Sequence, residues 1–183
     1  MKLVLSAALL ALAAPLAAHA QTVPAPIAAA LGDAGRPQAE KDRDAARHPG
    51  EILAFAGIAP GQKVADFIMG GGYCTRIRAP TVGPKGKVYA YQPAEFIQYR
   101  AAYADEQKAA VEGRANVAPL RDSLRSFAFP EPLDAIVTVQ NWHDLHLKAA
   151  APGAARGIAK KLYDSLKPGG VLLVIDHVAN TDP

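Results

Sequence analysis

The stretch Lys63-Val64-Ala65-Asp66-Phe67-Ile68-Met69-Gly70-Gly71-Gly72-Tyr73-Cys74-Thr75 constrains the fold more than any other part of the chain. An apolar strand runs without pause into three glycines and then into a helix beginning near Tyr73. Glycine suits such a turn for two reasons: a side chain would hold the backbone away from a ligand, and a positive φ is open to it at little cost. Asp66, on the strand just before the turn, stands near the same crevice, where a carboxylate repels phosphate and attracts cations. A glycine run can also make nothing more than a tight strand-to-helix connection, so the rest of the chain decides between the two readings.

Further strands are expected at 87–91, 116–120, 134–139 and 171–176. Helices are expected at 95–111, with apolar positions at Phe96, Ile97, Tyr99 and Tyr103, and at 154–166, where Ile158, Leu162 and Leu166 share one face. Upstream, the charged run Glu40-Lys41-Asp42-Arg43-Asp44 suits a solvated helix over 38–46 closed by His48-Pro49-Gly50, and 51–56 suits a second helix with Gly57 as its C-cap. Arg43, Arg47 and His48 are candidates for a polar lid, although a charge run more simply solvates a helix face. Continuous apolar strands alternating with helices predict an α/β fold with a doubly wound parallel sheet buried on both faces. Ligands of such sheets bind beyond the carboxyl ends of the strands. The polar residues collect there: Asp66 and the glycines after the first strand, Gln92 after the second, Asp122 after the third, Gln140-Asn141-Trp142-His143-Asp144 after the fourth and Asp176-His177 after the fifth.

A chain of 183 residues with 50% hydrophobic and 20% charged residues suits one domain, and a net charge of +3 with the basic residues scattered among acids implies no nucleic acid. Cys74 is the only cysteine, so no intrachain disulfide can form; with no His or Lys adjoining it, it reads as a small helix-starting residue and not as a nucleophile. Residues 1–20 read as a secretory signal peptide: Met1-Lys2, an apolar run from Leu3 to Ala18, then Ala18-His19-Ala20 before Gln21. The run is too short to span a bilayer comfortably. Cleavage after Ala20 and a periplasmic or secreted protein, free of the membrane once cleaved, are expected. Residues 21–38, rich in Ala, Pro and Gly, read as a flexible leader, which leaves 39–183 as the folded domain.

Asp66-x-x-x-Gly70-x-Gly72 and Leu166-Lys167-Pro168-Gly169-Gly170-Val171-Leu172-Leu173-Val174 resemble two motifs of the class I S-adenosylmethionine-dependent methyltransferases. More narrowly, Arg47-His48-Pro49, the Gly70-Gly71-Gly72-Tyr73 turn and Asn141-Trp142-His143-Asp144-Leu145-His146 look like a group of exported bacterial methyltransferases. The resemblance covers roughly residues 40–178. It implies a Rossmann-like fold with S-adenosyl-L-methionine as cofactor and Asp66, Gly70, Gly71, Gly72, Gln92, Asp122 and Asn141 around it. Asp122 matches only with a one-residue shift. Two departures stand out: Ile68 occupies the place of the motif's first glycine, and Gln92 stands where an acid binds the ribose hydroxyls. An amide forgoes the charge-assisted bond a carboxylate would accept. Glu95 is a candidate to compensate.

The family's fold continues past strand five with a helix and an antiparallel strand pair, which this sequence lacks. Either the chain is a piece of a longer product or a partner, such as a second copy in a homo-oligomer, covers the edge of strand five. Methyl transfer asks the protein for alignment of the acceptor and for removal of a proton. His143 and Asp144 are placed to act as base and orienting group, although Asn141 and Asp144 could simply cap a helix with Trp142 packed beneath it. The spacing of His143, Asp144 and His146 is compatible with a metal but non-specific, and none is expected. The acceptor is expected to be a small molecule. The competing expectation is a non-catalytic binding protein on the same scaffold, because the cofactor is made in the cytoplasm. A nicotinamide dehydrogenase fits less well, since the glycine spacing lacks the extension of the dinucleotide fingerprint.

Overall fold

A computed structural model describes residues 22–146 and 153–178. The signal peptide expected over 1–20 lies outside the described residues. Five strands form one parallel sheet: β1 (Lys63–Phe67), β2 (Lys87–Tyr91), β3 (Val117–Leu120), β4 (Leu133–Val139) and β5 (Leu166–Ile175), in the order β3-β2-β1-β4-β5. The order reverses at β1, which has β2 on one side and β4 on the other. The switch point therefore lies where the glycine turn leaves β1 and residues 140–141 leave β4, so the doubly wound α/β expectation holds.

The helices are α1 (Ala25–Leu31), α2 (Gln38–Lys41), α3 (Asp44–Arg47), α4 (Pro49–Phe55), α5 (Tyr73–Val82), α6 (Ala94–Tyr99), α7 (Ala102–Val111) and α8 (Ala154–Asp164). One core unites α1, α4 and α5 with one sheet face through Ile27, Leu53, Val64, Ile77, Val88 and Val137. A second covers the opposite face with Phe67, Tyr91, Phe127, Ile136, Ile158 and Leu162. The Phe67 and Tyr91 rings stack at 5.1 Å, and Phe127 leans on both.

Four expectations are corrected. Residues 25–31 are not part of a flexible leader: Ile27 and Ala30 are buried, and α1 lies against α5. A short Ala-rich segment shows little periodicity of its own, and its order comes from a distant apolar surface. The single helix over 38–46 is two short ones, α2 and α3. The long helix over 95–111 is broken at Arg100, which is extended at φ −139° and ψ 97° between α6 and α7. Strand β5 begins earlier than expected, and Lys167-Pro168-Gly169-Gly170 forms an irregularity between the Leu133↔Leu166 and Ala135↔Val171 pairings, with Gly169 at φ 80°.

A buried ion pair ties β1 to α5. Asp66 meets Arg78 and accepts a 2.6 Å hydrogen bond from the Thr75 hydroxyl, and all three are buried. Removing one member of a buried pair strands the other charge, which costs about 3–5 kcal/mol. Arg78→Met is thus expected to lose about that much unfolding free energy in urea denaturation, and Asp66→Asn on top of it to recover part. A loss below about 1 kcal/mol, the size of a surface pair, would show that the pair does not hold the junction.

Candidate cofactor site

Two cavities open at the switch point and share the wall Arg47, Tyr73, Cys74, Val139 and Gln140. The first, of about 280 Å³, runs along the glycine turn past Asp66, Ile68 to Gly71 and Asn141, and is closed on its outer side by Glu40 and Arg43. The second, of about 260 Å³, is mostly apolar and lies between α4, α5 and the ends of β4 and β5.

The backbone around them is strained in a consistent way. Among the described residues the non-glycine residues with positive φ are His48 at 46°, Ile68 at 62° and Gln140 at 59°, and each lines one or both cavities. Positive φ is a genuine outlier for a β-branched residue such as isoleucine. Such strain concentrates at ligand sites and persists only where the surroundings enforce it. Ile68 thus keeps the backbone conformation that glycine would adopt at that place in the motif; only the side chain departs.

The glycine turn is braced from both neighbouring strands. Gln92, after β2, accepts 2.9 Å from the Gly70 N–H, and Asn141, after β4, donates 2.9 Å to the Ile68 carbonyl and 2.7 Å to that of Val139. The three glycines differ. A Cβ on Gly70, at φ 55°, would meet nothing within 4 Å, and one on Gly71 would only touch Glu106 at 3.5 Å. On Gly72, at φ 86°, it would lie 2.4 Å from the Ala110 Cβ of α7. Gly70 and Gly71 therefore let a ligand approach, whereas Gly72 lets two helices approach.

Of the expected cofactor residues, Asp66, Gly70, Gly71 and Asn141 line the glycine-turn cavity, and Gly72, Gln92 and Asp122 do not. Asp66 spends its carboxylate on Arg78 and Thr75. Gln92 is fully buried with its oxygen on Gly70 and its Nε2 without a partner. Asp122 is exposed and holds β2 only through its carbonyl, which accepts from Tyr91. Glu95 does not compensate toward a ribose; it accepts from Ser123 and the Leu124 N–H.

His143 and Asp144 line neither cavity. The partner of His143 is Asp176: Nδ1 lies 2.8 Å from its Oδ1, and the His143 N–H donates 2.7 Å to Oδ2, whereas Asp144 stands 3.5 Å from Nε2. The orienting carboxylate is thus the one at the end of β5. His143, Asp176 and His177 each bring a ligand-type atom within 4.8 Å of the others, in place of the His143, Asp144 and His146 set. The Asp176 hydrogen bond raises the His143 pKa above its ordinary 6.5; at Asp176 burial works the other way, but the His143 side chain and the His177 and His143 N–H groups together outweigh it and hold the carboxylate down at about 2. Burial pushes the Cys74 thiol up to about 11, which leaves it inert at neutral pH.

The residues missed by sequence reasoning are Glu40 and Tyr73; Gln140, expected among the polar residues after the fourth strand, lines both cavities, and Arg43 and Arg47 prove to be walls as well as a solvated helix face. Arg36 grips Asp44 bidentately at 2.7 and 2.8 Å, and Tyr73 donates 2.6 Å to the same carboxylate. This holds Asp44 below the usual range, chiefly through the Arg36 hydrogen bond, and Arg36 above its own. Arg76 reaches Glu40 at 2.6 Å. The guanidinium groups of Arg36, Arg43 and Arg47 all lie over the Tyr73 ring, at 5.5, 5.8 and 5.2 Å. The other Glu40 oxygen, Oε2, is buried without a partner.

No protein-family profile matches the chain. Among solved structures, it is similar to a SAM-dependent methyltransferase from Aquifex aeolicus, with 25% identity over 74% of this chain and 68% of that one at a TM-score of 0.52. It is also similar to CalS10, an amino pentose methyltransferase from Micromonospora echinaspora solved with SAM bound, with 20% identity over 80% of this chain and 54% of that one at a TM-score of 0.53. The fold is that of the class I methyltransferases. The chain spans about half the length of CalS10 and 36% of coclaurine N-methyltransferase, whose TM-score is 0.52.

Two outcomes follow from this geometry. Gly72→Ala should lower the thermal midpoint well beyond Gly70→Ala, whose cost is the roughly 1–2 kcal/mol of a left-handed alanine; equal shifts would contradict the packing role of Gly72. For the His143–Asp176 pair, the raised histidine pKa contributes stability that is complete below 6.5 and lost as pH rises through the raised value. The depressed Asp176 contributes stability that is complete above 3.8 and lost as pH falls toward 2. Asp176→Asn should therefore destabilise most between pH 3.8 and 6.5 and bring the NMR-titrated pKa of His143 back toward 6.5. An unmoved titration would remove the pair.

Proposed function

We propose that the protein uses S-adenosyl-L-methionine to methylate a small molecule, with the methionine portion of the cofactor in the glycine-turn cavity. The observation that carries this reading is the open cradle of the glycine turn: Gly70 and Gly71 line a cavity of about 280 Å³, and a Cβ on Gly70 would meet nothing within 4 Å. Glu40 lines the same cavity, and its carboxylate suits an ammonium group on a ligand. Arg43 offers a guanidinium on the same wall to a ligand carboxylate. Together these residues fit an amino acid moiety. The similarity to methyltransferases, one of them solved with SAM bound, supports the same cofactor.

When bound, the cofactor supplies a methyl group made electrophilic by its sulfonium. This chain's residues would do the rest: Glu40 and Arg43 bind, Gly70 and Gly71 permit close approach, and Gln92 and Asn141 hold the turn's shape. A second reading, binding without turnover, draws support from the position of His143, outside both cavity walls.

Calorimetry with S-adenosylhomocysteine tests the assignment. Wild type should bind, Glu40→Gln should bind roughly tenfold more weakly through loss of one charge-assisted bond, and Gly70→Val should not bind while remaining folded by circular dichroism. Full affinity in Glu40→Gln and Gly70→Val together would place the ligand elsewhere. Binding without methyl transfer to any acceptor would favour the second reading.

We also propose export, with the mature chain beginning at Gln21, and pairing of β5 with a second copy. The support is the signal-like pattern of residues 1–20, and the position of β5 beside β4 alone among the described strands with Val171 and Val174 exposed. Mass spectrometry of a periplasmic fraction should find Gln21 as the first residue; an intact Met1 in all soluble material would refute the export.

A further inference from the structure

The two cavities that share the Tyr73–Cys74 wall differ in charge. Glu40 and Asp66 border the glycine-turn cavity together with Arg43 and Arg47, whereas the apolar cavity has no carboxylate among its lining residues. It has instead two guanidinium groups, Arg47 at its rim and Arg78 within, beside His48 and Gln140. Arg78 is fully buried, and although Asp66 balances its charge, its Nε has no acceptor. Arg47 holds only a 3.2 Å bond to Gln140 among the described residues, which leaves further donors of its fork unused. The remaining wall is aliphatic: Ile52, Leu53, Ile77, Val139 and Ile175. Arg47, a guanidinium with unused donors at an aliphatic pocket whose lining holds no carboxylate, is complementary to an oxyanion carried on a compact apolar body.

We propose that this second cavity binds the methyl acceptor and that the acceptor is a compact apolar oxyanion, a carboxylate or phenolate small enough for about 260 Å³. The proposal rests on the assignment of the cofactor to the neighbouring cavity. In the step it implies, the acceptor oxygen forms a bond to the methyl carbon as the methyl–sulfur bond breaks and its electron pair passes to sulfur. The anion and the sulfonium are both neutralised, and no proton has to leave an acceptor that is already ionised. This agrees with the absence of His143 and Asp144 from the cavity walls. Arginine neighbours keep such an acceptor ionised.

Three isosteres serve as probes in ligand-observed NMR and calorimetry on the whole chain: phenylacetate, phenylacetamide and phenethylamine. Phenylacetate should bind, phenylacetamide about tenfold or more weakly, and phenethylamine not at all. Arg47→Met, which spares the Asp66–Arg78 pair, should weaken phenylacetate by a similar factor, and Ile52→Trp should abolish its binding by filling the cavity while leaving S-adenosylhomocysteine affinity unchanged. Equal binding of all three probes, preference for the amine, no binding of phenylacetate at tens of millimolar, or undiminished phenylacetate affinity in either variant would each overturn the proposal. If phenylacetate behaves as expected but S-adenosylhomocysteine does not bind wild type, the cofactor assignment fails and the oxyanion pocket stands alone.

Discussion

The Asp66–Arg78 pair is the interaction on which the site depends. Two charges are taken out of water between β1 and α5, and among the described residues neither has a second counter-ion to fall back on. Thr75 and Arg78 stand three residues apart on one face of α5, so both pull the first turns of the helix toward the end of β1. The glycine turn is thereby pinned before it begins and after it ends. Gln92 and Asn141 then fix its middle from β2 and β4, which is why Ile68 can be kept at a φ that its side chain disfavours. A turn held at four points is preorganised: a ligand has little backbone entropy to remove on binding.

The same economy explains what the amino-terminal segment does. Its helices α2 and α3 are each one turn long and could not persist alone. They are fastened to α5 by Arg36–Asp44–Tyr73 and by Glu40–Arg76, half-buried contacts that deliver Glu40, Arg43 and Arg47 to the cavities. Tyr73 is central to this arrangement, because its hydroxyl meets Asp44 while its ring faces three guanidinium groups. Burial and the Asp44 contact both raise its pKa, so it stays neutral and remains a donor.

The sheet was legible in the sequence because its signal is local. Strand β2 has the bounds that its apolar run predicts, and β1 runs into the turn at Phe67, since alternation of apolar runs and glycines needs no knowledge of partners. The glycine turn was legible as a site for the same reason, but the separate roles of its residues were not. Gly70 and Gly72 are indistinguishable in sequence, and only the position of Ala110, far along the chain on α7, makes one a cradle and the other a packing contact. Asp66 and Gln92 stand at the strand ends, as the motif requires, yet their side chains are committed to Arg78 and Gly70. Helix α1 and the charged run around Glu40 were misread because both take their order from α5, more than thirty residues downstream.

The excess of guanidinium groups on one side of the shared wall bears on how such a site could work without taking a proton from its acceptor. With Arg47 and Arg78 and no carboxylate lining one cavity, and Glu40 and Asp66 beside Arg43 and Arg47 at the other, a cation and an anion placed in them would attract across Tyr73 and Cys74 in a region of reduced dielectric. The field would be strongest before reaction and would vanish as the two charges annul. For that reason the donors must not overbind the ground state. Arg78 is already paired with Asp66, and Arg47, with its 3.2 Å bond to Gln140, is the cation left to meet an anion. The inert Cys74 thiol between them adds no competing nucleophile at neutral pH. The ion pair that fixes the turn therefore also occupies one of the two guanidinium groups in the pocket wall beside it, and acceptor binding falls to Arg47.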